Sequence, residues 1–512
     1  MKKIILASLV ATVATMGTTY AQSYAPDAFR FSQTNYGSSS RFKGMGGAQI
    51  GVGGDIGSIN ANPAGLGLFT KSEFSITPEF NSVSNNSAYL GNNIKANKSQ
   101  INLNNIGVVF YSPAAKMKGS DVDKGLVSTV FGLSYTRNND FLNNISYNGT
   151  NTNSSIRDSY VDQANNNGIE NSIAGDAYNS YIINRNTPTF PNQYSAEPYN
   201  NANFKQNWDE ARLGSTSEFN VAGALNFGNK VYIGATASFV NVKYTSDATF
   251  TESGILNSYN DGAVLPKVPT YNGNENYNLT HFRNQETKGG GFNLKLGAIF
   301  RPVSELRIGL NFQTPTWMNI EDNTSETLQA TTAGNANTPP TKSNNPTQYY
   351  SFTYNLRTPL KASAGVSYVI AGTALISADV DYIDYSSMRF SDSNGSDLST
   401  INSNNAFIKE AYKEAVNYRV GAEVKATNEL SLRVGYGVNG NGVKGGDNKF
   451  YQGQYYTGGI GYRIDNYYFD VAYQNYKTNF NSSPYLLDDY SEPVADVKSK
   501  RNNVFLTFGV RF

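Results

Sequence analysis

The sequence predicts an all-β chain: an antiparallel transmembrane β-barrel of about fourteen strands, with an N-terminal hatch that plugs the lumen. Two observations predict this fold class. No segment comes near the roughly 18 consecutive apolar residues that a membrane-spanning helix needs, yet tyrosine, phenylalanine and glycine number 36, 28 and 47. These residues alternate with polar ones along most of the chain, a pattern typical of barrel strands with an apolar outer face and a polar lumen.

Residues 1–21 have the pattern of a secretory signal peptide. Lys2 and Lys3 precede an apolar run, and Ala21 ends a small-residue stretch before Gln22. A positive start, a short apolar run and a small residue at the cleavage point are the parts of such a peptide, so we expect export and cleavage after Ala21. Loss of the two lysines takes the basic residues from 41 to 39 against 40 acidic ones. The exported chain is therefore nearly neutral, and a nucleic-acid partner is not expected.

The composition lacks most of the residue types on which enzyme active sites and metal or cofactor sites commonly depend. The chain has no cysteine and one histidine, His281, which removes thiol chemistry, Cys/His metal sites and any Ser-His-Asp triad built on another histidine. The polar surroundings of His281 predict a solvated loop. Asp379 and Asp381 share one face of a predicted strand, where pairing with inward arginines such as Arg419 is the expected role. We therefore expect no enzyme, no cofactor and no bound metal.

Residues 22–70 form the predicted hatch, and within them residues 44–68 differ from the rest of the chain. Glycine is dense there, so the backbone can take positive φ and approach other backbone closely. Asp55 and Asn60 can bond their own turns. The composition fits a compact irregular segment and a flexible Gly-rich linker equally well, and the order of the residues, described below, favours the compact segment.

Residues 71–512 form the predicted wall of the barrel, and the C-terminal strand shows the alternation best. One face carries Val504, Leu506, Phe508, Val510 and Phe512, and the other carries Phe505, Thr507, Gly509 and Arg511. Residues 416–425 alternate in the same way and place Arg419, Glu423 and Lys425 on one face. Three charges facing lipid would be costly, so this face is expected to line a wet lumen.

Fourteen strands can be counted, an even number that closes an antiparallel barrel with both ends on one side. The predicted strands are residues 71–80, 100–111, 126–137, 218–227, 231–245, 291–301, 305–317, 349–369, 374–390, 417–426, 429–438, 455–464, 467–480 and 503–512. Tight turns are expected at residues 228–230, 302–304, 370–373, 427–428 and 465–466. The long loops, residues 138–217, 246–290 and 318–348 above all, are then extracellular. Helical spacing of apolar residues predicts helices within residues 159–183 and 404–416.

Two short motifs in the hatch resemble those of a known family. The run Met-Gly-Gly-Ala at residues 45–48 and the run Asn-Pro-Ala-Gly-Leu at residues 62–66 are similar to the N-terminal hatch of the long-chain fatty acid transporter (FadL/TodX) family of outer-membrane proteins. The resemblance implies a monomeric barrel in the bacterial outer membrane, surrounded by its lipid, with hatch or gating residues Asn62, Pro63, Ala64 and Gly65. The terminal Phe512 resembles the signal by which outer-membrane barrels are recognised for assembly.

The same resemblance implies passive uptake of hydrophobic small molecules such as long-chain fatty acids or aromatic hydrocarbons. In that family the loops after the fifth and seventh strands form a hydrophobic groove, and here the first of these loops carries Ile255, Leu256, Val264, Leu265 and Phe282. Exposed apolar patches usually have a function, but these residues could equally pack the loops against each other. The alternative function is a structural or secretion-associated barrel similar to the PorV shuttle of the type IX secretion system, which binds protein partners instead.

Overall fold

The computed structural model describes residues 24–33, 37–117, 121, 123–187, 190–196, 203–256, 275–332, 341–393, 395, 397–445 and 450–512. The predicted signal peptide lies outside these residues. The helices are α1 (Ala25–Ser32), α2 (Ser40–Gly44), α3 (Ser58–Ala61), α4 (Ile156–Asn167), α5 (Ile173–Asn179) and α6 (Leu398–Ala411), with 3-10 turns at Pro63–Leu68 and Tyr385–Ser387. No helix in the described part of the chain is long and apolar enough to cross a membrane.

Strands make up most of the remainder. They are β1 (Glu73–Tyr89), β2 (Asn92–Pro113), β3 (Leu126–Asp140), β4 (Asn143–Asn151), β5 (Ile183–Thr187), β6 (Phe190–Ala196), β7 (Phe204–Phe227), β8 (Val231–Leu256), β9 (Glu275–Phe300), β10 (Leu306–Gln313), β11 (Trp317–Thr332), β12 (Thr341–Asn344), β13 (Gln348–Arg357), β14 (Lys361–Ile370), β15 (Ala374–Asp384), β16 (Arg389–Ser391), β17 (Glu414–Lys425), β18 (Leu430–Asn439), β19 (Gly453–Ile464), β20 (Tyr467–Ser482) and β21 (Ala495–Arg511).

Among the described strands, β5 and β6 pair only with each other, and β12 pairs only with β11. The other strands close into an antiparallel barrel of fourteen. Each strand pairs with its neighbours in sequence, and β21 returns to pair with β1, from Val510 opposite Phe74 to Asp496 opposite Ala88. Some wall strands are built in two pieces: β3 with β4, β10 with β11, β13 with β14, and β15 with β16. The predicted fold class and strand count are confirmed.

The wall is taller at one end than the sequence predicted. Much of residues 138–217, 246–290 and 318–348 was expected to be loop, but β7, β8, β9 and β11 run far into these segments, and β4 lies within the first of them. Hydrogen-bonded pairs join β8 to β9 from Val231 opposite Phe300 up to Leu256 opposite Glu275. These extensions stand above the membrane with polar residues on their outer face, so they lack the apolar alternation by which the lower strands were recognised.

The outer face is apolar and the inner face is polar over the lower part of the wall. On β17, Val416, Tyr418 and Val420 are exposed, whereas Asn417 and Arg419 are buried. Outward tyrosines form a row across neighbouring strands, with ring centroids of Tyr418 and Tyr436 6.5 Å apart and those of Tyr436 and Tyr456 5.0 Å apart. Such an exposed apolar belt edged by aromatic side chains is a surface for lipid.

The tall end is covered by packed structure. α4 and α5 pack Ile156, Tyr160 and Ile173 against Phe250 and Leu279 of the extended wall. The helix predicted within residues 159–183 is thus two helices, broken near Gly168, which has a φ of 79°. α6 begins six residues earlier than predicted and ends at Ala411, before β17 starts.

Candidate functional site

The hatch segment, defined here as residues 37–69, contacts the inner faces of strands all around the barrel. The main-chain N–H groups of Gln49 and Ile50 donate to Asp379 Oδ2 at 2.6 and 2.9 Å. Arg41 forms a bidentate salt bridge with Glu423, with both N–O distances 2.9 Å. On the last strand, Thr507 Oγ1 accepts from the N–H of Ser40 at 2.8 Å. The segment is therefore fixed to the wall by many directed contacts, a few of them ionic.

The predicted gating motif lies at the centre of these contacts. Asn62 Nδ2 donates to the carbonyl of Ile50 at 2.7 Å, and its Oδ1 accepts from the N–H of Ala64 at 3.2 Å. Pro63 begins the 3-10 turn, and the carbonyl of Gly65 accepts from the N–H of Gly54 at 2.9 Å. Every residue of the motif is buried. The structure thus brings the four predicted residues together in one turn, and their role in gating stays a prediction.

Three pairs of opposed glycines on the inner wall let the hatch backbone lie directly against the strands. The pairs are Gly234 with Gly297, Gly309 with Gly365, and Gly421 with Gly435. A Cβ on Gly234 would lie 2.4 Å from the carbonyl carbon of Pro63, one on Gly309 would lie 2.1 Å from the carbonyl oxygen of Ile50, and one on Gly421 would lie 2.2 Å from that of Met45. These glycine pairs were not singled out from the sequence, although Gly421 and Gly435 fall on predicted inner faces.

Other inward charges are paired with one another. Arg419 Nη1 lies 2.7 Å from Asp381 Oδ2, as the sequence predicted for this carboxylate. Lys295 Nζ lies 2.5 Å from Glu218 Oε2 and also donates to Asn60 of the hatch segment at 2.6 Å. Asp379 differs from the prediction, because it accepts from hatch backbone instead of pairing with an arginine. These partners offset the loss of hydration that burial imposes on each charge.

Above the hatch segment the lumen contains an apolar chamber, defined here by the inward side chains that surround α1. Its wall includes the buried residues Val240, Val242, Tyr244, Met318, Ile320, Tyr354, Leu356, Ile383, Phe390, Phe407, Ile408 and Tyr412. α1 and Tyr24, the residue that precedes it, fill the chamber with aromatic rings: Tyr24 stacks on Phe352 at 4.7 Å, and Phe29 stacks on Tyr412 at 4.8 Å. An apolar chamber is unusual in a barrel lumen, which is generally polar.

The polar side of α1 is tied to the wall separately. Asp27 pairs with Arg30 on the same helix and accepts from Gln285 Nε2 at 2.8 Å. The guanidinium of Arg30 lies 4.2 Å from the ring centroid of Tyr244. One side of the helix therefore places its aromatic rings in the chamber, and the other side places the charged Asp27 and Arg30 near polar residues such as Gln285.

The wall has one long gap in its backbone pairing, between β2 and the β3–β4 strand. The ladder ends at Asn105 opposite Thr136, and above this point the described residues of the two strands share no backbone pairs. Side chains close the gap instead: Asp140 accepts from Gln100 and Asn102 of β2, each at 2.9 Å. The gap starts below the exposed belt residue Ile101, so it reaches lipid depth.

The predicted ligand residues of the loop are only partly described. Val264 and Leu265 lie outside the described residues, and Leu256 is the last residue of β8. Ile255 is exposed, and Phe282 lies between Thr249 and Thr327 on the neighbouring strands. Both lie on the face of the wall opposite the buried Phe250, Tyr277 and Leu279. The structure does not gather the predicted residues into one pocket, and their contact with a ligand stays a prediction.

His281 is not in a solvated loop as the sequence suggested. It lies on β9, with its side chain 14% exposed, and its Nδ1 is 3.2 Å from the hydroxyl of Tyr160 on α4. Burial lowers the pKa of His281, Glu326 at 3.7 Å opposes this change, and Arg283 adds to it. Its burial depends on Tyr160 of α4, which is distant in sequence, and composition alone therefore missed the site.

A closed fourteen-stranded antiparallel barrel with an exposed apolar belt and a filled lumen defines an outer-membrane β-barrel. The particular fold is that of FadL. A Pseudomonas aeruginosa FadL homologue is similar at 12% identity over 94% of this chain and 98% of its own, with a TM-score of 0.53. The P. putida toluene transporter TodX is similar at 12% identity over 93% and 99%, with a TM-score of 0.50. A deltaS2 mutant of the TodX monoaromatic hydrocarbon channel matches at 11% identity over 93% and 99%, with a TM-score of 0.53.

The resemblance to the FadL/TodX family that the two hatch motifs indicated is confirmed at the level of the fold. No protein-family model and no curated protein matches the sequence. Within the described residues, no group of three or more histidine, cysteine, aspartate or glutamate side chains could hold a metal ion.

Proposed function

We propose that this protein is an outer-membrane channel for passive uptake of hydrophobic small molecules, such as long-chain fatty acids or aromatic hydrocarbons. The apolar chamber is the observation that carries the proposal. A barrel with a purely structural role does not need a dry, aromatic-lined region in its lumen. An apolar solute, in contrast, needs a region of the protein in which it is no longer in contact with water. The similarity in fold to transporters of toluene and monoaromatic hydrocarbons supports the same class of solute.

The side chains of α1 and of the preceding Tyr24 indicate what the chamber can hold. Tyr24, Phe29 and Phe31 occupy it with single aromatic rings, each in contact with at least one ring of the wall. A monoaromatic hydrocarbon or a segment of an acyl chain has a similar cross-section and makes the same dispersion contacts. Entry of a solute therefore requires α1 to shift, and solute and helix compete for one apolar surface.

The β2–β4 gap offers the solute an exit into the lipid. Opening this part of the wall breaks hydrogen bonds made by side chains, among them those to Asp140 and the one from Asn144 to the carbonyl of Asn97, but no backbone ladder. It therefore costs less than opening two fully paired strands. The hatch segment closes the axial path below the chamber. In this proposal Asn62, Pro63, Ala64 and Gly65 hold the hatch in its closed form, so that the route for apolar solutes is not also a leak for water and ions.

Ligand binding to a polar variant of the chamber tests the proposal. Ile320 on β11 is fully buried in the chamber, and Asn323 on the same strand is exposed on the outer face. Ile320→Asn should weaken binding of oleate and toluene to the purified barrel about 5- to 150-fold, because a buried amide without partners costs about 1–3 kcal/mol. Asn323→Asp, the matched control, should bind like the parent.

Whole-cell uptake of the same two compounds should fall in parallel, with unchanged abundance and heat-modifiability of the barrel. A parent protein that binds neither compound, and that co-purifies with secretion components, would favour the PorV-like alternative. Equal affinities for parent and Ile320→Asn would remove the chamber from the transport path.

A further inference from the structure

Four lysines form a basic patch on the outer face of the wall, just above the apolar belt. The patch is Lys95 of β2, Lys477 of β20, and Lys498 and Lys500 of β21, and all four side chains are exposed. Lys477 lies four residues beyond the exposed belt residue Tyr473 on the same strand. At roughly 3.3 Å per residue this is about 13 Å along the strand, or about 9 Å along the membrane normal for a strand tilted near 45°. The patch therefore lies at the depth of lipid head groups.

The strand pairing places these positively charged lysines opposite or near one another. Lys477 is directly opposite Lys500 in the β20–β21 ladder. Lys95 and Lys498 flank the same residue, Asn86 of β1, from its two sides. Like charges directly opposite on neighbouring strands are destabilising. Within the described residues none of the four lysines lies within 4.0 Å of a carboxylate, and Asp496, the acid on the same face, forms no ion pair.

A second opposed lysine pair on the wall is compensated, and the contrast is informative. Lys243 of β8 is directly opposite Lys288 of β9. Here Glu286 Oε1 lies 2.7 Å from Lys288 Nζ, and Glu321 of β11 is directly opposite Lys288. Acids thus pair with or lie directly opposite the lysines where two of them meet at β8 and β9, whereas at β20 and β21 the acid on the same face, Asp496, forms no ion pair in the described part of the chain.

We propose that the basic patch binds the phosphate groups of a phosphorylated glycolipid in the outer leaflet, with lipid A as the chemical type. Opposed ammonium groups become favourable when an anion of two or more charges lies between them. The side chains between the lysines, Ser84, Asn86 and Asn479, can donate hydrogen bonds to phosphate oxygens. The exposed Phe80 and Ile101 directly below offer an apolar surface to acyl chains. A free anion would use the charges alone, whereas a lipid uses both surfaces.

Binding of bisphosphorylated lipid A to the purified barrel in detergent tests the proposal. The probe variant replaces Lys95, Lys477, Lys498 and Lys500 by Gln, and the matched control carries Lys243→Gln and Lys288→Gln. We expect the probe variant to bind lipid A at least tenfold more weakly than the parent, measured as retained lipid by native mass spectrometry, and the control to bind within twofold of it. Dephosphorylated lipid A should bind parent and probe variant alike.

Three results would overturn the proposal: equal retention by parent and probe variant, equal loss in the control, or undiminished binding of dephosphorylated lipid A to the parent. Inorganic phosphate at the same concentration should not displace the lipid, and displacement would mark the patch as a site for small anions instead. If the fourfold variant fails to assemble, Lys477→Gln with Lys500→Gln gives the smaller version of the same test. Uptake of oleate and toluene should be unchanged in all of these variants, so this proposal and the transport proposal can fail independently.

Discussion

Replacing Gly234 by Ala should displace the hatch from the wall without disturbing the barrel. The added Cβ would lie 2.4 Å from the carbonyl carbon of Pro63, 2.5 Å from its oxygen and 2.6 Å from the nitrogen of Ala64. Normal contact begins near 3.4 Å, so one of the two backbones must move by about 1 Å. Gly234 is held in ladders to both β7 and β9, and the hatch is therefore the part that yields.

The magnitude follows from the cost of overpacking. Forcing extra methyl groups into a tightly packed interior costs about 1–3 kcal/mol, which corresponds to about a 5- to 150-fold shift between two states of the hatch. We expect single-channel recordings in planar bilayers to show a higher and more frequent ion leak than the parent. Heat-modifiability on gels should be unchanged, because the wall keeps its pairing.

Gly223→Ala provides the control for this prediction. Gly223 lies on the neighbouring strand β7 and faces outward, and a Cβ there meets nothing closer than 3.9 Å. It should conduct like the parent. If Gly234→Ala also conducts like the parent while remaining folded, the hatch is not held at this contact and the reasoning from the glycine pairs is wrong.

Four further predictions follow from the described contacts. Asn62→Ala leaves the carbonyl of Ile50 and the N–H of Ala64 without their buried partner, at about 1–3 kcal/mol, and should raise the ion leak with normal assembly; a parent-like leak would contradict this. Asp140→Ala removes the acceptor that closes the β2–β4 gap and should speed oleate uptake in cells, whereas slower uptake would argue against a lateral exit. The pKa of His281 is lowered by burial, so folding disfavours its proton and the helical cover should lose stability as pH falls below the ordinary value near 6.5. Protection factors of the α4 amides, which correct hydrogen exchange for its intrinsic pH dependence, should fall from pH 7.5 to 5.5, and His281→Gln should flatten this change. Deleting Phe512 should slow insertion, with normal heat-modifiability of the molecules that do insert, and unchanged surface levels would contradict the assembly role.

The strand count could be predicted because the lower wall obeys a simple rule. A membrane barrel needs an apolar outer face toward lipid and a polar inner face toward water. The alternation of apolar and polar residues along strands such as β17 and β21 therefore indicates which face meets lipid. Above the membrane both faces meet water or the helical cover, and the rule no longer applies. β4 and the upper parts of β8 and β9 were therefore taken as loop, although their backbone pairing is continuous.

The candidate site was predictable only where its contacts are local. The turn at Asn62 bonds to residues nearby in sequence, and its motif was recognised. The contacts of the glycine pairs with the hatch, and those of α1 with the wall of the chamber, join residues more than a hundred positions apart. In the sequence, a glycine or tyrosine on an inner face looks the same whether or not another backbone lies against it. The burial of His281 beside Tyr160 likewise depends on a helix that is packed by long-range contacts.

The ring of hatch contacts also constrains the order in which the molecule can be assembled. Thr507 on the last strand accepts from the N–H of Ser40 and lies 2.8 Å from the hydroxyl of Thr77 on the first strand, so one side chain joins hatch, first strand and last strand. The opposed glycines press the hatch backbone against strands at intermediate positions in the same ring. Because Thr507 contacts both the hatch and the first strand, we expect the hatch to be in place when β21 meets β1, so that the enclosed segment helps to align the last strand with the first.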